Sequence, residues 1–262
     1  MKRIVLYHGN CPDGFTAAWA VWKKLQGTAE YRPVNYGQPP PDDLAGRDVV
    51  IVDFSYPRDA LIAMHKIAKS LLVLDHHKTA EADLQGLHFC EFDMDRSGAT
   101  MAWDHFHPDK PRPDLVSYAE DRDLWRFKLP MSREVSAAIW SYERTFENWD
   151  RFAGGVESLK VDGVAILRFK NQIVGQMADQ SRMELVSGHM VPVANATSAF
   201  SEVGEELCIR FPSAPFSAYY MDRGDRKRQW GLRSRGGFDV SEVARANGGG
   251  GHKAASGWTE DL

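Results

Sequence analysis

Cysteine is scarce in this chain. Cys11, Cys90 and Cys208 are the three present, odd in number and far apart, which excludes a disulfide framework and a zinc knuckle. Long apolar runs are missing as well. After Met1-Lys2-Arg3 only Ile4, Val5, Leu6 and Tyr7 precede polar His8, too short a run for a signal-peptide core or a membrane span. The expectation is a cytoplasmic protein with no membrane partner. Neither sign of charge dominates: 32 Lys and Arg stand against 36 Asp and Glu, and a net charge of −4 argues against general coating of nucleic acid. Repeats and low-complexity tracts are absent too. What is present, 262 residues that are 43% hydrophobic and 26% charged, suits a globular chain of two modest domains.

The most informative stretch is Leu71-Leu72-Val73-Leu74-Asp75-His76-His77-Lys78-Thr79. A short unalternating apolar run reads as a strand buried on both faces, with the acid and both imidazoles at its carboxyl end. Three consecutive polar residues cannot all face one way, so one imidazole can bind a metal while the other faces a substrate. The same pattern stands at residues 4–7, ending in His8, and at 49–52, ending in Asp53. Between them lie a turn-rich loop, Gly9-Asn10-Cys11-Pro12-Asp13-Gly14, and apolar spacing that predicts helices over 15–25 and 57–70. Phe89 and Phe92 suggest another short strand, Ser97 opens a helix to Phe106, residues 115–127 read as a helix or turn, and more helix is expected over 134–152. Alternating strand and helix imply a mainly parallel sheet with right-handed crossovers.

Glu120-Asp121-Arg122-Asp123 sits beside Leu124, Trp125 and Phe127, which hold the acids near a core. Asp121 or Asp123 is therefore a functional candidate, the alternative being a structural ion pair with Arg122. Residues 162–185 lack proline and carry an apolar stripe, the pattern of a linker helix whose stripe serves as core or as a homodimer contact. The expected organisation is a domain over 1–160, a linker helix over 161–187 and a smaller α/β domain over 188–262. The latter reads as strand (191–196), helix (201–207), strands (208–211, 216–221 and 229–234) and helix (240–246), ending in Gly248-Gly249-Gly250-Gly251-His252-Lys253.

Carboxyl ends of parallel strands meet along one edge, so His8, Asp53 and Asp75-His76-His77 converge there, joined by Asp13 and Asp121. Such an oxygen and nitrogen donor set suits Mn²⁺, Mg²⁺, Fe²⁺ or Co²⁺, and without thiolates a structural zinc is disfavoured. A carboxylate between two ligand-bearing strands, as Asp53 would be, can bridge two ions. Two ions about 3.5–4 Å apart activate a shared hydroxide for in-line phosphoryl displacement. The glycine run lets backbone N–H groups approach an anion and form a nest, with His252 and Lys253 adding charge. Arg233 and Arg235 would supply bidentate donors. Six basic residues between Arg223 and Arg235, against Asp225 alone, form either a solvated loop or a further anion site.

Taken in order, Cys-Pro-Asp-Gly, Val-Asp-Phe, Asp-His-His, Glu-Asp-Arg-Asp, Leu-Arg-Ser and Gly-Gly-Gly-Gly-His-Lys resemble the DHH phosphoesterase family with its C-terminal DHH-associated domain, over nearly the whole chain. The family includes RecJ-type exonucleases, nanoRNases, cyclic-dinucleotide phosphodiesterases, phosphatases and polyphosphatases. The resemblance implies a hydrolase with two metal sites, usually Mn²⁺, with Mg²⁺ or Co²⁺ as substitutes. It further implies Asp53 as the bridging ligand, His76 as a ligand of the second metal and Asp121 as the ligand from the fourth motif, with His8 and Asp13 as further metal ligands. Asp75 is then a ligand or orients one, and His77 faces the scissile phosphate. Arg233, Ser234, Gly249, Gly250, Gly251, His252 and Lys253 hold the far end of the substrate, in a cleft between domains. One departure stands out. The family's first motif carries two aspartates one residue apart, whereas Cys11 stands two residues before Asp13. The first site therefore leans on His8, Asn10 or Cys11. The expected activity is cleavage of short oligonucleotides or dinucleotides. The alternatives are a phosphomonoesterase or polyphosphatase, or a nucleotide-binding sensor whose first metal site has decayed.

Overall fold

The computed structural model describes residues 2–9, 11–235 and 237–262. It divides into two units, Met1–Leu167 and Arg168–Leu262. The first is built on five strands, β1 (Arg3–His8), β2 (Ala29–Val34), β3 (Asp48–Val52), β4 (Ser70–Asp75) and β5 (Cys90–Phe92). They lie in the order β2-β1-β3-β4-β5 with every pair parallel. Among the described residues they are accompanied by helices α1 (Pro12–Leu25), α2 (Arg58–Ile67), α3 (Lys78–Leu84), α4 (Gly98–Phe106), α5 (Asp114–Asp123), α6 (Ser132–Ser141) and α7 (Phe146–Ala153).

The unalternating strands are explained by two cores, one on each face of the sheet. Val5 and Tyr7 of β1 join Phe15, Trp19, Trp103 and Trp149 on one side. Ile4 and Leu6 join Ile51, Phe54 and Leu61 on the other. β2 escapes the sequence pattern because it is an edge strand, where exposed Pro33 costs no ladder bond to an outer neighbour. The helix or turn expected over 115–127 is a helix that ends at Asp123, and the helix expected over 134–152 is two helices, the second capped by the Thr145 side chain on the Asn148 N–H.

Helix α8 (Glu157–Asp179) begins in the first unit and ends in the second. The second unit then carries β6 (Arg182–Val186), β7 (His189–Asn195), α9 (Phe200–Arg210), β8 (Ser217–Asp222), β9 (Lys227–Arg233), α10 (Val240–Ala246), β10 (Gly250–His252) and β11 (Ala255–Asp261). Its sheet runs β10-β11-β9-β8-β7-β6, with β7 and β8 the parallel pair. Residues 182–186, assigned by spacing to the long helix, are thus a strand. Ser187 and Gly188, both at positive φ, turn it directly into β7, the geometry of a two-residue hairpin. Residues 208–211 also depart from expectation: α9 continues through Arg210, which buries Leu207 and exposes Ile209.

The glycine run is ordered into structure rather than left as a loop. Gly250–His252 pairs with β11, and a Cβ on Gly249 would lie 2.1 Å from the Gly257 carbonyl oxygen, so only glycine permits that approach. In the basic turn, Arg223 pairs with Asp225, and Arg228 pairs with Asp222 while lying over the Tyr220 ring. Neighbouring acids thus offset part of its charge.

In the first unit, Trp149 is fully buried, packs edge-on to Phe15 at 4.7 Å and donates from its indole N–H to Thr16 Oγ1 at 2.9 Å. Trp149→Ala is expected to lower the unfolding free energy by about 3–5 kcal/mol. Urea denaturation followed by circular dichroism checks this, and a loss below about 1 kcal/mol would contradict the central place given to this residue.

Candidate metal centre

In the first unit the carboxyl ends of β1, β3 and β4 are neighbours, which brings His8, Asp53 and Asp75-His76-His77 together at one edge. Asp53 follows directly on β3 with φ +54°, a left-handed conformation that aspartate tolerates better than most residues. Its N–H still pairs with the Leu74 carbonyl, so the turn comes at the last rung of the ladder. The two carboxylate oxygens face opposite partners. Oδ1 accepts from His76 Nε2 at 3.1 Å, and Oδ2 lies 3.5 Å from His8 Nδ1 and accepts from Cys11 Sγ at 3.2 Å.

Asp13 arrives from the first turn of α1 and is buried. Both its oxygens lie 3.3 Å from the Ala99 N–H, in the first turn of α4, where the helix dipole favours an anion. His76 Nε2 stands 3.9 Å from Asp13 Oδ2 and 3.4 Å from Asp123 Oδ2. Two glycines permit this density. A Cβ on Gly14 would lie 2.3 Å from the His8 carbonyl oxygen, and one on Gly98 would lie 2.4 Å from Asp53 Cβ.

Asp75 plays a different part. Oδ1 accepts from the His76 N–H at 2.8 Å and from His77 Nδ1 at 2.6 Å, and Oδ2 accepts from Ser55 Oγ at 2.5 Å. Both oxygens are engaged within the chain, so of the two roles left open for it, orienting a neighbour is the one the geometry favours. The bond to Asp75 keeps the proton on His77 Nδ1 and makes Nε2 the atom that gains or loses one.

Asp121 is not brought to this cluster. Its carboxylate accepts from the N–H groups of Lys128 at 2.9 Å and Leu129 at 3.1 Å, closing the loop that follows α5. Asp123 faces His76 instead. Residues two apart on a helix point about 200° apart, so only one of the pair could reach the edge, and apolar neighbours gave no means of choosing. Cys11, one of the residues on which the first site is expected to lean, has its Sγ 3.5 Å from His8 Nδ1. Asn10 lies outside the described residues. Ser55 and Tyr36 escaped the sequence reading. Tyr36, 54% exposed in the loop after β2, stands edge-on to His8 at 5.5 Å and to His77 at 5.9 Å. A lone exposed tyrosine in a polar loop carries no sequence signal of that placement.

Among the described residues, three donor groups lie wholly within the first unit, each with ligand atoms within 4.8 Å of one another: His8, Cys11 and Asp53; Asp13, His76 and Asp123; Asp53, Asp75 and His77. The electrostatics call for positive charge. Burial, with Asp53 and Asp123 close by, pushes the Asp13 carboxyl well above the usual range. Burial acts the same way on Asp53, but hydrogen bonds from His76 and His8 hold it well below. Burial disfavours a charged His76, yet the Asp53 hydrogen bond and the charges of Asp123, Asp53 and Asp13 push its pKa up to about 10. Asp123 Oδ2 is buried and accepts no hydrogen bond. A divalent cation fits this donor set and would satisfy that oxygen.

In the second unit, Arg233 closes β9 and is buried. Next to it, Ser234 Oγ donates to the Phe238 carbonyl at 2.6 Å. Gly249 precedes β10, Gly250, Gly251 and His252 form it, and Lys253 begins the turn into β11. These residues therefore share one end of the second sheet, where β10, β11 and β9 are neighbours.

No family model matches the chain. An uncharacterized protein of Acanthamoeba polyphaga mimivirus is 29% identical over a 289-residue alignment covering 97% of the chain. The chain spans 66% of the length of that relative. The DHH domain of a member of the s1p family of ribosomal proteins superposes with a TM-score of 0.64, at 13% identity over 99% of the chain and 82% of the other. RecJ from Thermus thermophilus, in complex with Mn²⁺, gives 0.55 at 15% identity over 99% of the chain and 50% of the other. The fold is therefore that of the DHH-domain proteins.

Gly98→Ala tests the packing of the cluster. It is expected to weaken Mn²⁺ binding at least about tenfold, or ~1.4 kcal/mol, measured by calorimetry. Gly155→Ala, whose Cβ would meet no atom within 4 Å, should leave affinity unchanged. Equal affinities for both variants would remove Gly98 from the site.

Proposed function

We propose that this chain is a divalent-metal-dependent phosphoesterase that hydrolyses short oligonucleotides or dinucleotides. The observation carrying this reading is Asp53, whose two oxygens face two separate donor groups, the arrangement a carboxylate shared by two cations needs. His8 and Cys11 would hold one ion with Asp53, and Asp13, His76 and Asp123 the other. When bound, two such ions supply charge that stabilises a phosphoryl group under attack and lower the pKa of water. Mn²⁺ is the ion we favour, because the donors are mainly carboxylate and imidazole and the RecJ relative of the same fold is solved with it.

The chain's own residues supply orientation and proton transfer. Ser55 holds Asp75, which holds the His77 ring with Nδ1 protonated. Asp75 also raises the His77 pKa against the effect of burial, so Nε2 can carry a proton to a leaving oxygen at neutral pH. Tyr36 offers an exposed aromatic edge beside both histidines, where a nucleobase can stack. The first unit is thus the catalytic domain. In the second, Arg233, Ser234, Gly249, Gly250, Gly251, His252 and Lys253 form the substrate-binding set.

Incubation with Mn²⁺ and, separately, a 5′-labelled RNA trinucleotide, the dinucleotide pApA and 3′-phosphoadenosine 5′-phosphate checks the reading. Mononucleotides released stepwise from the first two are the expected products. Phosphate from the bisphosphate alone would make the protein a phosphomonoesterase, and tight nucleotide binding without turnover would make it a sensor.

Three substitutions separate the roles. Asp53→Asn should abolish metal-dependent hydrolysis with the circular dichroism spectrum unchanged. Ser55→Ala should lower kcat about 10–100-fold, the usual effect of removing a group that orients a site residue. Tyr36→Ala should raise KM for nucleotides by the loss of about 1–3 kcal/mol of stacking. Unchanged kinetics in any one of them would remove that residue from its assigned part.

A further inference from the structure

Cys11 lies with its sulfur beside Asp53 and His8 at the carboxyl edge of the first sheet. Its Sγ is 3.2 Å from Asp53 Oδ2 and 3.5 Å from His8 Nδ1. The three donor atoms belong to one group within 4.8 Å. The same sulfur accepts the Gly14 N–H at 3.3 Å and so caps α1. Burial and the charges of Asp53, Asp13 and Asp123 push the Cys11 thiol up, so it is a bound cation that would draw the proton off a coordinating sulfur. Cys90 and Cys208 lie outside every such donor group among the described residues.

We propose that Cys11 is a thiolate ligand of the first metal position, shared with His8 and Asp53, and that it biases that position towards softer divalent cations. The inference rests on the metal-centre reading above. As the sulfur–metal bond forms, the S–H bond breaks and its proton passes to solvent. The thiolate would bring a single negative charge to that position. What distinguishes it is softness. Mg²⁺ prefers oxygen ligands at short, rigid distances, whereas Co²⁺, Zn²⁺ and Fe²⁺ accept sulfur readily. The second position, with Asp13, His76 and Asp123, keeps an oxygen and nitrogen set. The two positions of one centre therefore differ in the metal they prefer, with Asp53 common to both.

Cobalt makes both parts of the inference visible. The full chain, stripped of metal with a chelator, is titrated anaerobically with Co²⁺ while its absorption spectrum is recorded. Visible ligand-field bands report Co²⁺ bound by any donors, and a near-ultraviolet thiolate-to-cobalt charge-transfer band reports the sulfur. Both are expected in the wild-type chain and in Cys90→Ser and Cys208→Ser. Cys11→Ser should lose the charge-transfer band and keep the visible bands. Cys11→Asp should also lack the band and should bind Mg²⁺ at least about tenfold tighter than wild type by calorimetry. Visible bands without charge transfer in the wild-type chain would overturn the thiolate ligand and leave the metal centre standing. A charge-transfer band that survives in Cys11→Ser would overturn it too. No spectral change at any Co²⁺ concentration would overturn both.

Discussion

The structure of the first unit turns on holding several carboxylates close together away from water. Asp13, Asp53 and Asp75 are buried, and Asp123 reaches the same edge from the end of α5. Unpaired, such a group would protonate or unfold its surroundings. Each is answered by a different device. Asp75 has Ser55, the His76 N–H and the His77 ring; Asp13 has the first turn of α4; Asp53 has two imidazoles and a thiol. Asp123 is the least satisfied, with one buried oxygen that accepts no hydrogen bond. The cluster is therefore specific about its own members and still short of positive charge, the condition under which a metal site is preorganised without being neutralised by its own protein.

Much of this arrangement is legible in the sequence because burial on two faces leaves a plain mark. Strands β1, β3 and β4 are unbroken apolar runs with a polar residue at their carboxyl ends, and a parallel sheet puts those ends side by side. What was not legible falls under weaker marks. Edge strand β2 mixes charge and proline, and β11 carries glycine and acids, so neither shows a period. β6 continues the apolar spacing of the helix before it, and only the left-handed pair Ser187-Gly188 separates it from β7. Asp121 and Asp123 are chemically alike and two residues apart. Which one meets His76 depends on where α5 ends and on the loop amides at Lys128 and Leu129 that take up the other.

The carboxylate and imidazole cluster and the first core cannot be treated as separate layers, because α1 belongs to both. Its first turn carries the Cys11 cap, Asp13 and Gly14, and its next turns carry Phe15 and Trp19. Phe15 packs on Trp149 and Phe146, while Trp19 stacks on Trp103 of α4 and donates to Asp150 of α7 at 2.8 Å. α4 in turn presents Gly98 to Asp53 and the Ala99 N–H to Asp13. The aromatic packing between α1, α4 and α7 thus sets the distance between two helix N-termini, and those N-termini set the positions of Cys11 and Asp13. A side chain shift of a few tenths of an ångström in this core is comparable with the tolerance of a metal–ligand bond. That is a physical reason for so many tryptophans in a small layer. Large rigid rings leave few alternative packings, and a site whose members repel one another has to be held by a frame that cannot relax away from it.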